Sequence, residues 1–84
     1  MDIVKNTMDM GVVVRPQNGM QLAAGQISLD RDVQFVGYVP GLAVQVGESP
    51  EEVRCRLENV AQDFYGTDVV VEIPDHPGLR GLKC

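Results

Sequence analysis

His76 stands between Asp75 and Pro77 and is the only histidine in the chain. An imidazole beside a carboxylate is a natural starting point for acid–base chemistry, but adjacent residues rarely face each other as a catalytic pair must. Asp, Pro and Gly dominate turns, so Asp75-His76-Pro77-Gly78 reads as a turn. Cys55, flanked by Arg54 and Arg56, could be held as a thiolate by the two cations. A free cysteine on a helix more often packs as a small, half-buried hydrophobe. One His and two distant cysteines, Cys55 and Cys84, fall short of the three or four ligands a zinc site needs, so neither metal nor cofactor is expected. Ser, His and Asp are all present, yet there is no GxSxG elbow and no Gly-rich phosphate loop. A minimal hydrolase built on Asp30, Asp32 or His76 ranks last, and a non-enzymatic protein is expected.

The elements that would position any site are easier to read. Met10 to Arg15 is a short strand halted by Pro16, and Asn18-Gly19 is a turn signal. Met20 to Leu29 is a second apolar run, with Gly25 marking a bend or bulge. Asp30-Arg31-Asp32 is a polar turn. From Val33 to Val39, period two places Val33, Phe35, Gly37 and Val39 on one face and Gln34, Val36 and Tyr38 on the other. Leu42, Val44 and Val46 then alternate with Ala43, Gln45 and Gly47, the two runs meeting at a tight Pro40-Gly41 turn.

Ser49-Pro50-Glu51-Glu52 is a full helix start: a capping hydroxyl, Pro at the first helical position, and a glutamate three residues after the cap. Val53, Leu57, Val60, Ala61 and Phe64 follow as one apolar stripe, and Gly66 is expected to end the helix in a left-handed cap. Asp68 to Ile73 is a last strand. Residues 1–8 and 75–84 are expected to be irregular. The reading is a single α+β domain over residues 1–84. Its antiparallel sheet has four to five strands with one main helix on one face, in the order β-β-β-β-α-β.

The 84 residues carry a net charge of −5, with only seven Lys and Arg among them. Phosphate recognition needs clustered cations, so direct binding of DNA or RNA is not expected. Acidic residues gather at Glu48, Glu51, Glu52, Glu58 and Asp63. They would steer a basic partner there, although a solvated, solubility-giving face is the more common reason for such charges. No stretch reaches transmembrane length and the N-terminal segment is not a signal peptide, so a cytoplasmic protein with reduced thiols and no membrane contact is expected. With Val53, Leu57, Val60 and Phe64 covering the face that carries Phe35 and Val44, and Val46 in phase with Val44, the residues Val36, Tyr38 and Val70 lie on the other face. That face is open unless the first hairpin, or the tail through Leu79 and Leu82, folds over it.

The stretch FVGYVPGLAVQVGESPEEVRCRLENVAQDF resembles the N-terminal domain of HicB-family antitoxins. Phe35 and Tyr38 match its aromatic strand, Pro40-Gly41-Leu42 its turn, and Gly47-Glu48-Ser49 its link to a helix. Glu51 and Glu52 match the helix start, and Val53, Leu57 and Ala61 its buried face. The resemblance covers residues 33–66 and implies a fold akin to that of double-stranded RNA-binding domains. It also implies a function: masking a small, basic, RNA-cleaving toxin, commonly as a homo-oligomer. The helix-turn-helix or ribbon-helix-helix segment that lets many members bind their promoter has no match in these residues, so DNA binding is not expected to carry over. The candidate partner-binding residues are Gln34, Val36, Tyr38, Gln45, Glu48 and Glu51. The alternative is a phage- or mobile-element-encoded acidic inhibitor of a host defence or nucleic-acid-binding complex.

Overall fold

A computed structural model describes residues 10–30 and 34–74. The elements are β1 (Met10–Pro16), β2 (Ala23–Leu29), β3 (Phe35–Tyr38), β4 (Gln45–Gly47), α1 (Pro50–Tyr65) and β5 (Val69–Glu72). The order β-β-β-β-α-β is the expected one, and the five strands form a single sheet ordered β4-β3-β2-β1-β5. Every neighbouring pair is antiparallel. Counting along the ladder, β4 and β5 run in the same direction at opposite edges. A return between parallel strands needs a long crossover, and α1 supplies it. Its 16 residues extend about 24 Å at about 1.5 Å per residue. Five strands spaced about 4.8 Å apart place their outer members about 19 Å apart. The helix is long enough to span the sheet it covers.

Period two decides the faces. Met10, Val12 and Val14 of β1, Ile27 of β2 and Val69 and Val71 of β5 are buried, and Val53, Leu57 and Ala61 of α1 lie against them. Burying each large apolar side chain is worth about 1.5–3 kcal/mol, so this layer carries most of the stability. Gly37 opposes Ile27 in the ladder and faces the helix. A side chain there would strike Val53 and come within 2.9 Å of Leu57 Cδ1. Residue 37 is therefore small because α1 crosses directly over β3.

The connections depart from the expectation in physically informative ways. The Pro16–Gly19 segment closes a turn through Gly19 N–H donating to the Pro16 carbonyl at 3.2 Å, but β2 begins only at Ala23. Gly19 keeps out of the positive-φ region, and Met20 and Leu22 are exposed outside the sheet. Pro40-Gly41 does form a tight turn: Leu42 N–H donates to the Val39 carbonyl at 3.0 Å and Gly41 takes φ 94°. The two strands do not meet there, however. After Tyr38 the chain lifts over Gly25, Val39 becomes fully buried, and Leu42 packs on the core.

The chain re-enters the sheet only at Gln45, which opposes Gly37. A single-residue change of phase exchanges the faces of a strand. Gln45 and Gly47 accordingly lie on the helix side, while Val46 opposes Val36 on the open side. The expected inward Val44 and Val46 are 54% and 45% exposed. Phe64, expected in the buried helical stripe, is also largely exposed. It sits one turn beyond Ala61, past the sheet, with its ring edge-on to Tyr65 at 4.8 Å. Gly66 ends the helix, donating to the Gln62 carbonyl at 3.0 Å. Its φ of 135° and ψ of 158° are extended rather than left-handed helical, a region essentially reserved for glycine.

The crossing at Gly25 leaves no room for a side chain. A Cβ there would collide with the Tyr38 carbonyl oxygen and lie 2.8 Å from Val39 Cα, both backbone, whereas one at Gly11 would meet nothing within 4 Å. Gly25→Ala is expected to destabilise the fold by about 3 kcal/mol, the upper range for overpacking, and Gly11→Ala to change it by less than about 0.5 kcal/mol. Urea denaturation of the two variants side by side checks the contrast.

Candidate binding surface

The open sheet face divides into two halves. Towards β5, Arg15 and Glu72 lie diagonally across the β1–β5 ladder and form a two-pronged ion pair. Arg15 Nε donates to Glu72 Oε1 at 3.1 Å and Nη2 to Oε2 at 2.8 Å. Val70 and Val13 are half-buried beside this pair. Towards β4 the face is apolar and exposed. Val36 is half-buried and opposes Val46, and Tyr38 is 50% exposed. Val44, the residue just before β4, is exposed as well. Four residues, Val36, Tyr38, Val44 and Val46, thus form one patch that runs out to the β4 edge.

The expected binding residues are only partly brought together. Val36 and Tyr38 are in the patch. Gln34 is exposed just before β3, and its carbonyl accepts from Asp30 N–H at 2.7 Å. Gln45 is on the helix side, not the open face, and its Nε2 donates to the Ala43 carbonyl at 3.0 Å. Glu48 is exposed and Glu51 half-buried at the start of α1, immediately beyond β4. Val44 and Val46 were assigned to the core because uninterrupted alternation from Leu42 puts them there. The lift over Gly25 resets the phase.

The helix start is built nearly as the sequence indicates. Ser49 Oγ accepts from Glu52 N–H at 3.1 Å. Glu52 Oε1 reaches back to the Glu48 N–H at 2.9 Å, one residue before the cap, and Oε2 takes Arg56 Nη2 at 2.7 Å. The Glu48 N–H and then the Arg56 guanidinium hold the Glu52 carboxyl below its ordinary value of 4.5. Glu48 and Glu51 enter no ion pair among the described residues.

The β5 edge is closed by the helix itself. Arg54, Glu58 and Gln62 recur every four residues and line one side of α1. Glu58 Oε2 accepts from Val71 N–H at 3.0 Å, Arg54 Nη1 donates to the Val71 carbonyl at 3.1 Å, and Gln62 Nε2 donates to the Val69 carbonyl at 3.1 Å. Arg54 is only 1% exposed and also contacts Glu58 at 3.2 Å. These side chains occupy backbone groups that another strand would otherwise pair with. The sequence does carry a signal for this row, the four-residue spacing of Arg54, Glu58 and Gln62, which reads first as a surface ion-pair stripe.

A groove of about 210 Å³ lies between the Pro40-Gly41 turn and the end of α1, lined by Gly41, Leu42, Ala43, Val60, Asp63 and Phe64. Among the described residues no group of His, Cys, Asp and Glu could hold a metal, and no helix is long and apolar enough to cross a membrane. Cys55 is half-buried as expected, but it is disulfide-bonded rather than a free thiol. The other cysteine, Cys84, lies outside the described residues, as do His76, Asp32, Leu79 and Leu82. Comparison with protein-family models, with curated proteins and with solved structures returned no match.

Two outcomes follow from this geometry. Glu52 has a depressed pKa in the folded chain, so its contribution to stability is complete above its unfolded value and is lost as the pH falls through the folded one. Acid titration followed by NMR is expected to find Glu52 below its ordinary value of 4.5, and Glu52→Gln to flatten the stability profile below about pH 5. Glu58→Ala removes the acceptor for Val71 N–H and is expected to cost about 1–3 kcal/mol. Amide exchange at Val71 should then accelerate more than at Ile27.

Proposed function

We propose that this chain is a non-enzymatic protein-binding module that masks the working surface of a small basic partner, in the manner of a HicB-type antitoxin restraining a ribonuclease toxin. The observation that carries the reading is the apolar patch of Val36, Tyr38, Val44 and Val46, followed along the chain by Glu48 and Glu51, which enter no ion pair among the described residues. Apolar side chains left in a contiguous exposed group on a small domain commonly mark contacts with another chain. Adjacent acidic groups favour a cationic partner and hasten its encounter. Of the features that carry the family resemblance, the aromatic strand contributes Tyr38 to this surface and the capped acidic helix start follows β4 directly.

The test mixes the purified chain with a small basic ribonuclease encoded beside its gene. Stoichiometric suppression of RNA cleavage is expected, weakened about tenfold or more, about 1.4 kcal/mol, by Tyr38→Glu combined with Val46→Asp. Cleavage that continues undiminished at excess chain would sink the reading.

A further inference from the structure

The sheet has two edges, and they are not equivalent. At β5, the backbone groups of Val71 and the carbonyl of Val69 are engaged by Glu58, Arg54 and Gln62. At β4, no side chain from α1 is bonded to the backbone of Gln45, Val46 or Gly47 among the described residues. Strand addition uses an edge with open backbone groups and gains specificity from alternate side chains on the two faces. Among the described residues the β4 edge offers both. On its open side Val44 and Val46 are exposed and continuous with Tyr38 and Val36. On its helix side Gly47 presents no side chain and packs beside the Glu52 carboxylate; Glu48 follows directly after the strand and Glu51 lies in the first turn of α1.

We propose that β4 is the docking edge of this protein and that its occupant is an extended segment of a basic partner. That segment pairs with β4, its apolar residues beside Val44 and Val46 and its Lys or Arg residues turned towards Glu48 and Glu51. Charge complementarity selects this occupant. A second copy of the chain would bring another −5 of net charge and the same carboxylates to the edge, whereas a cationic partner segment brings complementary charge to Glu48 and Glu51, which follow β4 in the chain. The proposal rests on the masking function above and specifies which part of the surface performs it.

The probe is a six-residue synthetic peptide, acetyl-Lys-Val-Lys-Val-Lys-Val-amide, titrated into isotope-labelled full-length chain and followed by NMR. Saturable shifts and slowed amide exchange confined to residues 44–48 are expected, with Val69–Glu72 unaffected. Glu48→Gln with Glu51→Gln should weaken binding several-fold, as should added salt, and backbone N-methylation of the peptide should abolish it. Thermal melts of the variant confirm that the fold is retained. Shifts at the β5 edge, equal binding of the Glu/Val counterpart peptide, or no saturable binding would overturn the assignment. So would shifts at residues 44–48 that depend on protein concentration alone, which mark a second copy as the occupant. The two readings fail separately: ribonuclease suppression without an effect at residues 44–48 leaves masking in place and removes β4 as its edge.

Discussion

Arg54, Glu58 and Gln62 govern how this small sheet can exist with one helix and five strands. Because β4 and β5 lie at opposite edges, α1 must cross the whole sheet, and it reaches β5 with a polar row facing the strand's outer backbone groups. Removing Arg54 from water is expensive unless its charge and its donors are met. Glu58 and the Val71 carbonyl do part of that work, and Glu58 simultaneously accepts from Val71 N–H. The same turns of helix place Val53, Leu57 and Ala61 on the inner face. One helix thus seals a face with its apolar stripe and an edge with its polar one.

This division of labour explains where the exposed apolar surface falls. At the β1–β5 end of the open face, Arg15 and Glu72 cover the sheet with a paired, solvated group. At the β3–β4 end there is no such pair among the described residues, and valine and tyrosine face solvent. The asymmetry follows from the register. The chain leaves the sheet after Tyr38, buries Val39 above Gly25, and re-enters with Gln45 rather than Val44 or Val46 turned to the helix. A direct two-residue hairpin would have hidden those valines. The six-residue link exposes them.

The α+β class, the element order and the helix from Ser49 to Gly66 were legible because each has a local cause: period-two alternation, Pro and Gly at turns, and a capping hydroxyl with glutamates behind it. The open-face positions of Val36, Tyr38 and Val70 were legible for the same reason. Strand order was not, since the pairing of β5 with β1 depends on contacts separated by more than fifty residues. The faces of β4 were misread because alternation was carried through a connection that interrupts it. Arg54 escaped notice because its spacing to Glu58 is equally that of an ordinary surface pair, and only the position of β5 reveals what the pair caps. The state of Cys55 had no local signal either. Its disulfide removes the reduced-thiol argument for a cytoplasmic location.

Exposed β-branched residues on an unpaired edge normally invite association between identical copies. Glu48 and Glu51 bear on that hazard, because flanking like charges oppose the approach of a second β4 while leaving backbone groups free. The charges that discourage self-pairing are also those that favour a cationic strand, so one small group of residues supplies both the exclusion and the preference that specificity requires. A hydrophobic patch alone would bind many surfaces weakly, and carboxylates alone would attract any cation. Only their adjacency along three residues of β4 and the first turn of α1 distinguishes a basic extended segment from either.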